Sequence, residues 1–294
     1  MEERRTQSDD FLVKAHRIST IEGKEKMIIG KKNFDTDHET YIMGILNVTP
    51  DSFSDGGNFN CMDAALRHTE EMLAEGADII DIGGESTRPG HVQITDQEEI
   101  DRVAPIIEAV KARFDVPVSL DTYKSAVAEA GIAVGADLIN DIWGLKYDPK
   151  MADVIAKADA ACCLMHNRDN SDYGDFLSEW YQETAECVEL AKKAGIADDR
   201  IILDPGVGFG KTYEQNLTTI KYMDDLKKLG YPLLLGTSRK SVIGLTLDTP
   251  VTDRAVGTAV TTVFAVQQGY AFVRVHDIKA NKQAIQMTKA ILNA

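Results

Sequence analysis

The sequence lacks the marks of several protein classes. No apolar run approaches the roughly 20 residues of a membrane span, and the opening "MEERRTQSDDFLVKAHRIST" scatters charge through any stretch that could act as a signal peptide. The expected compartment is the cytoplasm, with no membrane partner. Basic residues are outnumbered, 32 Lys and Arg against 47 Asp and Glu, and the net charge of −15 argues against a nucleic-acid-binding surface. An anionic small substrate would therefore need a local basic pocket. Cysteine is scarce: Cys61, Cys162, Cys163 and Cys187 show no metal-ligand spacing, and the adjacent pair would point to opposite faces of a strand, so they read as reduced thiols. After residue 40 there is no linker, low-complexity tract or sharp shift in composition.

What is present is a recurring unit. A short aliphatic run ends in a polar loop, and a longer stretch with helical periodicity follows. The runs are "YIMGIL", "ADIIDIG", "VPVSLD", "ADLIND", "AACCLM", "RIILDPG", "PLLLGTS" and "AFVRVHD". Eight strands alternating with helices such as "MDAALRHTEEMLAEG" and "RAVGTAVTTVFAVQQG" predict an α/β fold of the TIM (β/α)8 barrel type, whose active site lies at the C-terminal ends of the strands. Ahead of the barrel, "MIIGKKNFD" and "ETYIMGI" are expected to form a small β-hairpin around a polar turn. Residues 1–26 read as an N-terminal arm and residues 27–294 as a single domain.

The strand ends carry the functional pattern. In order they present Asn47, then Gly83-Gly84-Glu85, Asp121, Asn140-Asp141, His166, Asp204, Ser238-Arg239-Lys240, and Arg274 with His276. Any one strand-terminal Asp or Asn could merely cap a helix or make a turn. A whole ring of them is harder to explain that way. Asp121, Asn140 and Asp204 around one cavity could present acceptors and donors to a planar heterocycle rich in N–H groups, such as a 2-amino-4-oxo-pyrimidine. A metal is the other use of such a trio, but no His and carboxylate cluster at ligand spacing supports it. Arg274 and His276 alternate in "FVRVHD", hence share a strand face, and form either a cationic spot for phosphate or an arginine paired with a core carboxylate. "GTSRKSVIG" sets Lys240 and Ser241 at a helix start, where a carboxylate would be well placed. The glycines of "GVGFG" lack the Walker spacing and read as a flexible turn. His166 reads as structural, and Trp143 and Trp180 as packing.

Together these motifs resemble the dihydropteroate synthases over roughly residues 28 to 290. "GILNVTPDSFSDGG" and "DIGGESTRPG" look like the family's two signature loops, and "LDPGVGFGKT" and "GTSRKSVIG" match later blocks in order. The resemblance implies condensation of 6-hydroxymethyl-7,8-dihydropterin pyrophosphate with 4-aminobenzoate, giving 7,8-dihydropteroate and pyrophosphate in folate biosynthesis, by a dissociative route. It implies a pterin pocket of Asp121, Asn140, Asp204 and Lys240. Pyrophosphate and Mg²⁺ would be received by Asn47, Arg274 and His276, with Asn47 as the metal ligand. The 4-aminobenzoate site would use Phe53, Thr87, Arg88, Pro89 and Ser241, while Asp55 and Arg88 would complete a closed lid around the reaction. The catalytic set is then Asp55, Arg88, Lys240, Asp121 and Asp204, and a homodimer is implied, with the late helices as contact surfaces. Two departures stand out: Asn167 where many relatives have methionine, and the arm before the first strand. The nearest rivals are a pterin-binding methyltransferase barrel serving a corrinoid protein, which would not need "SRKS" or "STRPG", and a non-catalytic pterin carrier.

Overall fold

The computed structural model describes residues 27–49, 57–86 and 92–294. The arm and five of the expected site residues, Phe53, Asp55, Thr87, Arg88 and Pro89, lie outside that set. The eight apolar runs all become parallel strands: β3 (Tyr41–Asn47), β4 (Ile79–Gly83), β5 (Val118–Asp121), β6 (Leu138–Asp141), β7 (Ala161–Met165), β8 (Ile201–Asp204), β9 (Leu234–Leu235) and β10 (Phe272–Val275). Their order is β8-β7-β6-β5-β4-β3-β10-β9, and a parallel bridge from Leu203 to Leu233 joins the two ends, so the sheet closes into the expected barrel.

Helices fill the connections, among them α1 (Gly57–Glu75), α2 (Asp96–Arg113), α3 (Ser125–Ala133), α4 (Met151–Ala158), α5 (Phe176–Ala194), α6 (Tyr213–Tyr222), α7 (Ser241–Leu247), α8 (Ala255–Gln267) and α9 (Ile278–Leu292). Local chemistry sets their starts. Thr95 caps α2 by accepting the Glu98 N–H, with three acidic residues in the first turn, and Thr212 and Gln215 form a reciprocal capping box on α6.

The hairpin differs from expectation in its pairing. Both strands lie inside "MIIGKKNF": β1 (Met27–Ile29) pairs antiparallel with β2 (Lys32–Phe34), while Tyr41–Asn47 pairs only with β4 and β10. The turn falls on Gly30, whose φ of 61° is open to glycine at little cost. Met27, Ile29 and Phe34 pack with Met43, Ile79, Leu138, Cys163, Ile202, Leu234 and Phe272, residues of the barrel strands that lie below the polar ends. The hairpin thus plugs the N-terminal mouth of the barrel, and the polar residues are left at the other end.

Strand periodicity then sorts every residue. Ile42, Ile80, Leu120, Ile139, Cys162, Leu203 and Val273 join the larger core against the helices. Their neighbours Met43, Ile79, Leu138, Cys163 and Ile202 face the barrel axis. Cys162 and Cys163 fall on opposite sides, and all four cysteines are free thiols. None of the described helices is long and apolar enough to cross a membrane.

Candidate functional site

The same alternation that sends Met43, Ile79 and Leu138 inward carries forward, two residues at a time, to Asn47, Asp81, Gly83, Asp121, Asn140, Asp204, Arg274 and His276. Register makes four of these lateral neighbours: Asn47 pairs with Gly83, Gly83 with Asp121, and Asp121 with Asn140. Gly83 keeps the row open, since a Cβ there would sit 3.5 Å from that of Asp121 and 3.8 Å from Asn47 Oδ1.

At the centre is a triad that the strand-end pattern did not reveal. Arg274 Nε donates to Asp81 Oδ2 at 2.6 Å, and its Nη2 to Asp121 Oδ2 at 2.5 Å. Asp81 is fully buried and also accepts from Ser119 Oγ at 2.5 Å. Of the two readings of Arg274, the structure shows the pairing with core carboxylates, and the side chain keeps 19% exposure. Only two of its N–H groups are committed in those bonds, of the five a guanidinium carries. Burial works against its charge, but Asp81 and Asp121 outweigh that and hold it above its ordinary value.

Asp121 has the least comfortable surroundings. Burial raises its carboxyl to about 7, against the pull of Arg274. Its second oxygen, Oδ1, is buried with no hydrogen-bond partner among the described residues. Such an atom costs on the order of 1–3 kcal/mol unless a donor is supplied from elsewhere. Asn140 contributes only long contacts, 3.5 Å from Nδ2 to either oxygen of Asp81.

Across the barrel, Asp204 is also held up by burial, with Lys240 opposing. Its Oδ1 accepts the Gly206 N–H at 2.7 Å, while Oδ2 lies near the β9 end, 3.3 Å from where a Cβ on Gly236 would stand. Lys240 Nζ would be 3.9 Å from that same point, so carboxylate and ammonium flank one small residue. Lys240 Nζ donates to the Val207 carbonyl at 2.5 Å and sits 4.5 Å from the centroid of the Phe209 ring. Burial lowers its ammonium to about 8.

The "GVGFG" segment forms a turn packed against the end of β7. Gly206 has φ 72°, and a Cβ there would come 1.9 Å from the His166 carbonyl oxygen, so only glycine permits this close approach. Phe209, passed over in the sequence, is held by that turn against Lys240. His276 approaches Ser238: its Nδ1 lies 2.9 Å from the serine Oγ, which also accepts the His276 N–H. Arg239 turns away to Asp277 at 2.5 Å, so Lys240 alone of that basic pair faces inward. Ser241 opens α7 and is exposed.

Two further strand-end residues are buried and held by charged partners. Glu85 accepts from Lys124 Nζ at 2.6 Å, Tyr123 Oη at 2.5 Å and Ile94 N at 3.0 Å, bracing the chain on either side of residues 87–91. His166 has the outward parity of β7 and is buried against Glu183, as the sequence suggested. No cluster of three His, Cys, Asp or Glu side chains able to hold a metal occurs among the described residues.

A (β/α)8 barrel with carboxylates, an amide and cations gathered at the C-terminal ends of its strands has the layout of a TIM-barrel enzyme. A family model for pterin-binding enzymes matches residues 43–276. Dihydropteroate synthase of Clostridium beijerinckii is 57% identical over 267 residues, 90% of this chain and 99% of that one. Among solved structures, the Clostridium difficile dihydropteroate synthase determined in the presence of pteroic acid shares 50% identity at a TM-score of 0.86, covering 89% of this chain and all of that one. The Xanthomonas albilineans synthase with 4-aminobenzoic acid shares 37% at a TM-score of 0.87, over 92% of this chain and all of that one. The chain belongs to the dihydropteroate synthase family of pterin-binding enzymes.

Proposed function

We propose that the slot lined by Asp121, Asn140, Asp204 and Lys240 binds the pterin of 6-hydroxymethyl-7,8-dihydropterin pyrophosphate and that 4-aminobenzoate is condensed onto it there. The observation that carries this reading is the buried Asp121 Oδ1 without a donor. A 2-amino-4-oxo ring brings N–H donors that Asp121 and Asp204 can accept from the two sides, and a carbonyl oxygen suited to the Lys240 ammonium.

The chemistry follows from charge. When the bond from the pterin methylene to pyrophosphate breaks, positive charge spreads into the ring and negative charge onto the leaving group. Asp121 and Asp204 stand beside the ring, where they favour the cation. Arg274 offers N–H groups not given to Asp81 or Asp121, and with His276 and Asn47 receives the leaving anion. Asn47 supplies one neutral oxygen at the rim, fitting Mg²⁺, which takes few protein ligands and prefers substrate phosphates for the rest. When bound, the ion would neutralise charge on the departing pyrophosphate. The aniline amine of 4-aminobenzoate is already neutral and nucleophilic near pH 7, so no strong base is needed. Phe209 and the aliphatic part of Lys240 offer a wall for its ring, and Ser241 a partner for its carboxylate. Phe53, Thr87, Arg88 and Pro89 are assigned to the same subsite, and Asp55 with Arg88 to excluding water from the cation.

The pH dependence of pterin binding tests the pocket. Asp121 must be ionised to accept, so affinity should rise as pH climbs through about 7. Lys240 must be protonated to donate, so affinity should fall as pH climbs through about 8. Titration calorimetry with the pyrophosphate-free 6-hydroxymethyl-7,8-dihydropterin, which lacks titrating phosphates, should give a maximum between these limbs. Asp121→Asn should move the acidic limb to the one that Asp204 alone gives. A flat profile in the wild type would remove both residues from the pocket.

The homodimer belongs to the same proposal. Val256, Val260 and Phe264 form an i, i+4, i+8 stripe on α8, with exposures of 77%, 53% and 46%, and Leu245 of α7 and Met287 and Ile291 of α9 add to the exposed apolar residues of these late helices. Val260→Lys should convert a dimer to a monomer in sedimentation velocity. A wild-type monomer at micromolar concentration would end this reading.

A further inference from the structure

One buried lysine in the turn after β8 has no part in the chemistry above, and burial lowers its ammonium to about 7 against the pull of Asp204. Lys211 Nζ reaches three acceptors: the Gly206 carbonyl at 2.9 Å, the Phe209 carbonyl at 3.0 Å and His166 Nδ1 at 2.9 Å. An ammonium has three N–H groups, and each has a partner here. The histidine is itself oriented for this. Its Nε2 lies 2.9 Å from Glu183 Oε2, a carboxylate also held by Arg168 Nε at 2.8 Å, which leaves Nδ1 as the acceptor. Burial lowers His166 to about 4, against the pull of Glu183, so the ring stays neutral and able to accept.

The clamped turn is the one on which the cavity depends. Its Gly206 N–H fixes Asp204, its Val207 carbonyl fixes Lys240, and its Phe209 ring lies against the Lys240 ammonium. Lys211 grips the first and last residues of this set, Gly206 and Phe209, and ties them through His166 to the end of β7. We propose that Lys211 is a positioning residue for the condensation: by holding the Gly206–Phe209 turn against β7, it sets Asp204 and Lys240 for the pterin and Phe209 for the incoming 4-aminobenzoate.

This inference rests on the pocket assignment above, and the test separates the two. In the full chain, Lys211→Met removes all three donors at similar length, and Lys211→Gln retains a shorter amide donor. Pterin pyrophosphate Kd and the KM for 4-aminobenzoate should each rise about tenfold or more in the Met variant, with the Gln variant between it and the wild type. Asp204→Asn is measured alongside. If Asp204→Asn keeps wild-type pterin affinity, the pocket assignment fails whatever Lys211 does. If Asp204→Asn loses binding but a folded Lys211→Met retains wild-type Kd and KM, the positioning role is overturned, and a fall in kcat alone overturns it equally. Should the Met variant not fold, the Gln variant decides: raised Kd and KM support the role, and wild-type values overturn it.

Discussion

Asp204→Asn is expected to weaken pterin binding by at least about a hundredfold, or ~2.7 kcal/mol, while leaving the fold intact. The asymmetry of the carboxylate explains both halves. One oxygen accepts the Gly206 N–H at 2.7 Å, and an asparagine carbonyl can keep that bond. The amide NH₂ then takes the place of Oδ2, beside Lys240, where it meets pterin donors with a donor. Burial already raises Asp204 above the ordinary carboxylate value, so removing its charge relieves a desolvation cost in the unliganded protein. Calorimetry with pterin pyrophosphate and a thermal melt of the variant decide the matter. Wild-type affinity would take Asp204 out of the pocket, and a lost melting transition would make its role structural.

Arg274→Met should have the largest effect on stability. Asp81 is fully buried, and its charge is balanced by the guanidinium at 2.6 Å. Without it, Asp81 retains Ser119 and the long Asn140 contacts, and an uncompensated buried charge typically costs about 3–5 kcal/mol. Arg274→Lys should fall between, because a point charge cannot bridge Asp81 and Asp121 as a planar fork does. Urea unfolding followed by circular dichroism measures the loss. An unchanged midpoint for the Met variant would show that the triad is not a structural unit, leaving Arg274 to the leaving group alone.

The barrel was legible because eight aliphatic runs alternate with helical periods, and the strand ends were legible because each run stops on a polar residue. Asp121, Asn140 and Asp204 could be assigned to one cavity on that basis. Asp81 could not, since it lies within its run and "ADIIDIG" gives no outward sign of which face is interior. Counting back by two from Gly83 would have found it. Phe209 and Lys211 were hidden for another reason. Their segment was read through its glycines, whose positive φ marks a sharp turn but does not say what the turn packs against. The hairpin was placed in the right region with the wrong partner, because a two-residue turn at Gly30 and a longer polar turn before Tyr41 both satisfy the apolar pattern. Against the net charge of −15, Arg274 and Lys240 are the cations proposed for the local basic pocket, each offset by buried carboxylates.

Pyrophosphate release from 6-hydroxymethyl-7,8-dihydropterin pyrophosphate with Mg²⁺, followed in the presence and absence of 4-aminobenzoate, tests the condensation itself. Release matched by dihydropteroate formation is expected when 4-aminobenzoate is present. Tight pterin binding without any release under those conditions would contradict it, leaving a pterin-binding barrel whose cations serve some other reaction.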